Sequence, residues 1–449
     1  MQVIILCGGN GSKIAPYAQI RNKAAIKISN EPIVSHMVRI LNKFADITKI
    51  LVVGSYHMSE IKALLRYNDK VEVRQIEPTP GSAKTLEAIS NMIEDEYLLL
   101  FGDCLIDEED IANLLYAQKD TILVDKITDD PRNHIVAQIE NDDLLNMLGH
   151  PRVIQEGYKM FGYHGDKTFI QQLPYNKGRF TNTKVGVGSP LEYFLEESIN
   201  DHLQENKIKV IYAKHPCFDI DKPWDILAAN AYYNHYYCSK IEKQNDSDKI
   251  DPSCICHGNL QLGKNVRVGK DVIIQGNCII GDDSIIENGA IIGKDVVIGK
   301  RCKIANNCKI GDQSTVGDDS IIDQTAELLE GVLMGKDYLY HHCEFYGLCG
   351  EKVDIGAGTI CGTLRFDDGE SMHTINGRKE QAKAYANATF LGDHVRTGVG
   401  VIFQPGKIVG VNSVIGAGVI LNQNVGDNKL IYCKQELIEE DWGTNKYGW

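Results

Sequence analysis

The residues best equipped for chemistry stand near the amino terminus. There the apolar run Val3 to Cys7 breaks into Gly8-Gly9-Asn10-Gly11-Ser12-Lys13, with Pro16 and Lys23 following. Backbone amides of a Gly-rich turn after a strand can approach phosphates closely, and two lysines can neutralise a triphosphate. The run is no Walker A loop, because Gly-Lys-Ser/Thr is missing, and no dinucleotide fingerprint, because Ile14 takes the third-glycine position. A tight strand-to-helix turn without a ligand is the plainer reading of the same residues.

The elements that must position this loop fall into two regimes. From Met1 to Tyr237, short apolar strands (Val3–Leu6, Ile50–Val53, Val71–Gln75, Tyr97–Phe101) alternate with helical patterns near Ile33–Phe44, Ser59–Tyr67 and Ala83–Met92. Such alternation predicts parallel βαβ units in a Rossmann-like sheet, with ligands beyond the strands' carboxyl ends. Residues 238–253 are polar and aperiodic and are expected to form a linker.

Beyond the linker the period becomes six. Every sixth residue from Leu262 to Met334 is aliphatic or Met, small or β-branched residues recur four positions after each, and Gly often follows the aliphatic one. This predicts a parallel β-helix over 254–425, at ~18 residues per coil, with aliphatic side chains inside, small residues at corners and Gly or Asn in the turns. The register is expected to slip by three residues between Met334 and Cys343. It is interrupted again over 362–388 by a charged insertion that includes Arg365, Arg378, Lys379, Glu380 and Lys383. An insertion ejected from a regular solenoid is usually a loop on one face, and often the binding face. The tail, 426–449, is expected to lay Trp442 and Trp449 over a coil end.

The first regime resembles the sugar-1-phosphate nucleotidylyltransferases. The resemblance rests on Leu6-Cys7-Gly8-Gly9-Asn10-Gly11-Ser12-Lys13-Ile14-Ala15-Pro16, on Lys23, on Gln75 with Gly81-Ser82-Ala83, on Gly102-Asp103, and on Phe218-Asp219-Ile220-Asp221-Lys222-Pro223-Trp224-Asp225 through Asn230. It implies that the loop Leu6 to Ser12 and Gln75, Gly81 and Ser82 hold a nucleoside triphosphate. It also implies that Asp103 and Asp219 hold Mg²⁺, with Asp221 a rival second ligand, while Lys13 faces the triphosphate and Lys23 the sugar phosphate. A phosphate oxygen of a sugar 1-phosphate would attack the α-phosphorus in line and expel pyrophosphate, so the protein mainly positions groups and neutralises charge. Two departures stand out: Lys13 replaces an Arg, and a sugar-holding Glu-Lys-Pro appears as Gly149-His150-Pro151, with Gln155 in place of a following Asn.

The second regime resembles hexapeptide acyltransferases, and its far end those fused to archaeal nucleotidylyltransferases, through Ile355-Gly356-Ala357-Gly358-Thr359, Leu364-Arg365-Phe366-Asp367 and Gly392-Asp393-His394. This implies a left-handed β-helix, a homotrimer, and acetyl-CoA as a second co-substrate. Acetyl transfer to an amine needs a general base, for which His341 and His342 are the candidates; Asn306 and Asn307 read as turn residues. Two other functions stay open at this point: a degenerate domain that senses nucleotide sugars, and an acyltransferase whose first domain only docks substrate.

Composition narrows the partners. A net charge of −14 argues against nucleic acid and anionic membranes, and 43% hydrophobic with 24% charged residues is ordinary globular composition. Thirteen cysteines, several of them in the hexad pattern, read as small core residues rather than disulfides, and no run is long enough for a spanning helix. A cytoplasmic location is expected.

Overall fold

The computed structural model describes residues 1–128, 134–149, 157–180, 191–242, 249–382 and 384–444. His150, Pro151, Gln155, Lys383 and Trp449 lie outside the described residues. Val71–Gln75, Lys49–Gly54, Gln2–Leu6 and Glu96–Phe101 form, in that order, the parallel half of a nine-stranded sheet. The near-continuous apolar composition of the last three follows from burial on both faces, where two separate apolar clusters pack, while the edge strand Val71–Gln75 alternates and is only partly buried. The other half departs from the all-parallel expectation. Tyr158–Asp166 runs antiparallel to both neighbours, and Ile135–Glu140 with Asp143–Gly149 closes the edge as a hairpin.

The second domain is a left-handed parallel β-helix. Each coil supplies three short strands, and partners lie eighteen residues apart, as in Leu260↔Cys278, Arg267↔Ile285 and Ile273↔Ile291. Corners fall on residues in the left-handed region, among them Asn265, Asp271, Asp283, Asp295, Asn307 and Asp319. The Gly after each aliphatic residue is therefore not the turn residue. A Cβ at Gly263 would stand 2.5 Å from the Asp282 nitrogen, and one at Gly281 2.7 Å from the Gly299 carbonyl carbon, so these glycines exist for close approach between coils. The small position also has a chemical reason. Ser284 Oγ donates to Gly299 O at 2.7 Å, and the thiols of Cys302 and Cys308 reach Gly317 O and Asp323 O at 3.2 and 2.9 Å. All thirteen cysteines are free.

The slip of three residues divides into two steps. The inward residue opposite Val316 is Leu333, not Met334, and Cys349 follows Phe345 after four residues rather than six. Met334, buried at 1% exposure, turns outward into the cluster between the domains. The last coil pairs Leu430–Ile431 with Val414–Ile415, so the solenoid runs past the boundary expected at 425, and Trp442 is 66% exposed instead of covering a coil end.

The domains are packed together. Tyr17, Ile26, Ile33, Leu227 and Tyr233 form one apolar cluster with Val332, Met334, Leu348 and Phe390 of the β-helix. Arg21 grips Asp393 with two bonds of 2.5 and 3.2 Å, Lys27 pairs with Glu351 at 2.7 Å, and Asn234 donates to Gln313 O and Ser314 O. Asn230, which ends the helical segment quoted above, accepts from Ser29 N at 2.8 Å and Thr315 Oγ1 at 3.0 Å, tying three elements together at zero exposure. Among the described residues, no helix is long and apolar enough to cross a membrane.

Candidate active site

The Gly-rich loop follows the first strand as expected, but it leads into no α-helix. Gly11 adopts φ 65° and leads into a single 3₁₀ turn, Ser12–Ile14. A Cβ on Gly11 would meet that of Ala18 at 2.3 Å, so this glycine is required twice over. One short turn provides little helix dipole, so an anion at this turn would have to be met by amides and lysines.

The central feature is a short antiparallel pairing between Cys104–Leu105, just past the end of the Glu96–Phe101 strand, and Phe218–Asp219. Asp219 lies opposite Cys104, and Ile220 N donates to Asp103 O at 3.0 Å. Carboxylate oxygens of Asp103 and Asp219 and the Cys104 sulfur consequently lie within 4.8 Å of one another. Gly102 permits this, because a Cβ there would stand 2.4 Å from the Cys7 sulfur.

Three ammonium groups face these carboxylates. Lys23 Nζ lies 2.6 Å from both Asp103 and Asp221 and 3.9 Å from Asp219. Lys13 reaches Asp221 at 3.6 Å, and Lys159 contacts Asp219 directly. Burial opposes the charge on Lys23, yet Asp103 and Asp221 outweigh it and hold the ammonium above its ordinary pKa. Burial likewise opposes ionisation of Asp221, but Lys23, Lys13 and Lys159 hold it well below the carboxylate range. The Cys104 thiol, pushed up by burial and then by Asp103, stays protonated. The oxygen donors thus suit a hard divalent cation such as Mg²⁺, which takes one or two carboxylates plus phosphate oxygens; a protonated thiol does not serve it.

Lys13, Ser82, Asp103, Asp219 and Lys159 line a cavity of about 180 Å³. Gly81, at φ 118°, lets the Pro80–Ser82 turn pack on Tyr193; Ala83 N donates to Tyr193 O at 3.0 Å and Ser82 Oγ accepts from Leu195 N at 2.9 Å. Gln75 ends its strand exposed, its amide directed to Ser55 O rather than into this cavity. Gly81→Ala is expected to destabilise the protein by about 2 kcal/mol or more, because the new Cβ would stand 2.3 Å from Tyr193 O and 2.6 Å from its carbon. Urea denaturation checks this, and an unchanged midpoint contradicts it.

Lys159 is the residue that sequence reading missed. It is a lone lysine in the apolar strand Tyr158–Asp166, and an ammonium in such a strand needs a buried anion, which was the available signal. Its Nζ also lies 3.3 Å from His134 Nδ1.

Asp225 closes the site from below. Its carboxylate accepts from Asp221 N at 3.0 Å and Lys222 N at 2.6 Å at the start of the helix Pro223–Ser239. Loss of water, then the charge of Asp221, pushes it from 3.8 up to about 7. The folded state therefore holds this proton more tightly than the unfolded chain. Its contribution is complete below the unfolded value and is lost as pH rises through about 7. Wild-type stability is expected to fall from pH 5 to pH 8 relative to Asp225→Asn, which cannot titrate; parallel urea midpoints across that range would contradict this.

The histidines occupy the β-helix surface. His342, at φ 58°, is a corner residue like Asn307, and its Nδ1 lies 2.6 Å from Thr325 Oγ1. His341 is half exposed, with Nδ1 3.5 Å from the Asp323 carboxylate. Asn306 donates to Glu287 at 3.1 Å. Tyr340 stacks on Tyr338 at 3.9 Å.

Residues 2–128 match the nucleotidyl transferase family, and residues 259–294 and 289–324 match the bacterial transferase hexapeptide family of six repeats. Over the whole length, the chain is 30% identical across 448 residues to a protein named bifunctional protein GlmU from Methanococcus maripaludis strain C7, covering 98% of each. The chain belongs to the GlmU-like bifunctional family. Other GlmU-like relatives include one from Methanocaldococcus jannaschii, 26% identical over 98% of this chain and 99% of its own. A third, from Sulfurisphaera tokodaii, is named bifunctional sugar-1-phosphate nucleotidylyltransferase/acetyltransferase and is 26% identical over 95% of this chain and 98% of its own. As a GlmU-like protein, this chain is an enzyme of the transferase class.

Proposed function

We propose that the protein transfers a nucleotidyl group from a nucleoside triphosphate to a sugar 1-phosphate, releasing pyrophosphate, and that its β-helix carries an acetyl-CoA-dependent acetyltransferase site. The observation that carries the first activity is the meeting of Asp103 and Asp219 beside three lysines. Mg²⁺ bound by Asp103 and Asp219 would neutralise phosphate charge and polarise the α-phosphate. The chain's own groups do the rest. Amides of the loop Gly8 to Ser12 and Lys13 receive the triphosphate; Lys23 and Lys159 receive the acceptor phosphate, whose oxygen attacks the α-phosphorus as the bond to pyrophosphate breaks. Lys23 and Lys159 are now balanced by Asp103 and Asp219, so engagement of those two carboxylates by a cation would free Lys159, and one side of Lys23, for the incoming phosphates.

The acetyltransferase half is supported by the full-length similarity to proteins named for both activities. His341 is the better base, since the Asp323 carboxylate can orient its imidazole, whereas His342 is committed to a corner. The protein is a cytoplasmic homotrimer in this reading. Incubation with each NTP, Mg²⁺ and a panel of sugar 1-phosphates should release pyrophosphate. Silence across the panel with no triphosphate binding would remove the nucleotidyl-transfer reading. CoA release from acetyl-CoA and an amino-sugar phosphate tests the second activity, and an undiminished rate in the His341→Ala, His342→Ala double variant would remove both assigned bases.

A further inference from the structure

The insertion 362–388 does not lie idle on the solenoid. Met372–Ile375 and Arg378–Gln381 pair as an antiparallel hairpin around Asn376 and Gly377, both in the left-handed region as a type I′ turn requires. Its base is held by His373, buried at 1% exposure, whose Nε2 lies 2.8 Å from Ala386 O. From there the hairpin reaches the first domain at two points. Glu380 pairs with Lys222 at 2.7 Å, with side chains 11% and 9% exposed, and Asn376 Nδ2 donates to Ser12 Oγ of the phosphate loop at 3.2 Å.

Between the hairpin and the sheet lies a cavity of about 880 Å³. It shares His134, Lys159, Asp219 and Asp221 with the small cavity at the paired carboxylates. Its outer wall is the hairpin, through Arg378, Lys379 and Glu380, and its floor includes Trp224, whose ring lies 5.1 Å from that of His373. An aromatic face flanked by both cationic donors and carboxylate acceptors is the chemistry that recognises a hydroxyl-rich ring. The cavity opens directly off the place where the acceptor's phosphate would react.

We infer that the hairpin of the β-helix insertion is a specificity element of the nucleotidyl-transfer site, holding the sugar of the acceptor against Trp224 while its phosphate lies at Lys159. This rests on the nucleotidyl-transfer function proposed above. It makes the second domain a part of the first domain's active site, and it locates sugar recognition in Arg378 and Lys379, with Glu380 anchoring the hairpin to Lys222.

The test is steady-state kinetics of the full-length protein with the best sugar 1-phosphate of the panel. Arg378→Ala and, separately, Lys379→Ala should each raise the acceptor KM about tenfold, the loss of one charge-assisted hydrogen bond. The NTP KM and the kcat at saturating acceptor should stay within about twofold. Preference across the panel should also flatten. An acceptor KM equal to wild type in both variants, with wild type active, overturns the hairpin assignment alone. A wild type that turns over no sugar 1-phosphate overturns the parent reading and this one with it. The exposed Arg378 and Lys379 pair keeps the test independent of folding, because neither side chain supports the core.

Discussion

Asp103→Asn is expected to lower kcat/KM for pyrophosphate release about 10³-fold or more, and Asp219→Asn to do the same. Each substitution keeps the shape and the backbone pairing: Ile220 N still donates to the carbonyl of residue 103, and the strand pair Cys104–Leu105 with Phe218–Asp219 is untouched. What disappears is one of two carboxylates within 4.8 Å of each other, and with it the charge that would hold a divalent cation against a triphosphate. The fold should survive Asp103→Asn, since Lys23 retains Asp221 at 2.6 Å, and in Asp219→Asn the new amide oxygen still accepts from Lys159. Pyrophosphate release as a function of Mg²⁺ concentration is the measurement. A variant that keeps more than about a tenth of the wild-type rate at every concentration would show that the pair does not carry the cation.

Arg21→Ala is expected to be the most damaging substitution at the domain interface, at about 3–5 kcal/mol. Arg21 and Asp393 are 7% and 1% exposed on their side chains and share two hydrogen bonds. Truncating the cation strands a carboxylate in a place where burial already raises its pKa despite the guanidinium, with Glu351 nearby. Stranded in this way, Asp393 should titrate higher still, so the deficit of the variant should shrink as pH falls. Neutralising both partners, Arg21→Met with Asp393→Asn, keeps an acceptor for Glu351 N and should recover most of the loss. Urea denaturation at pH 7 and pH 5 measures all three proteins. Equal midpoints for Arg21→Ala and wild type would mean that the interface does not depend on this pair. The Gly392-Asp393-His394 segment, read from sequence as part of the acyltransferase resemblance, thus docks the two domains through Asp393.

Local periodicity carried much of this protein. The hexad repeat dictated a β-helix because each coil must bury an aliphatic ladder and repeat its corners, and both requirements are local in the chain. The alternation of strands and helices before residue 237 likewise dictated a layered α/β domain, and the Gly-rich run marked the turn at the carboxyl end of its first strand. What the sequence alone could not supply was every feature that depends on chain segments meeting from afar. The glycines after the aliphatic residues are spaced as turn residues are, but serve the approach of the next coil, eighteen residues away. Met334 satisfies the hexad and yet faces the other domain, because a one-residue contraction at Leu333 turns it outward. Lys159 is anonymous within its strand until Asp219 is brought to it across sixty residues. The insertion was legible as charged and solenoid-breaking, but its hairpin and its landing place on Lys222 and Ser12 came only with the structure, because the landing depends on how the two domains dock. Residue pattern determines which surfaces must be buried; only the three-dimensional packing decides which distant charges share one pocket.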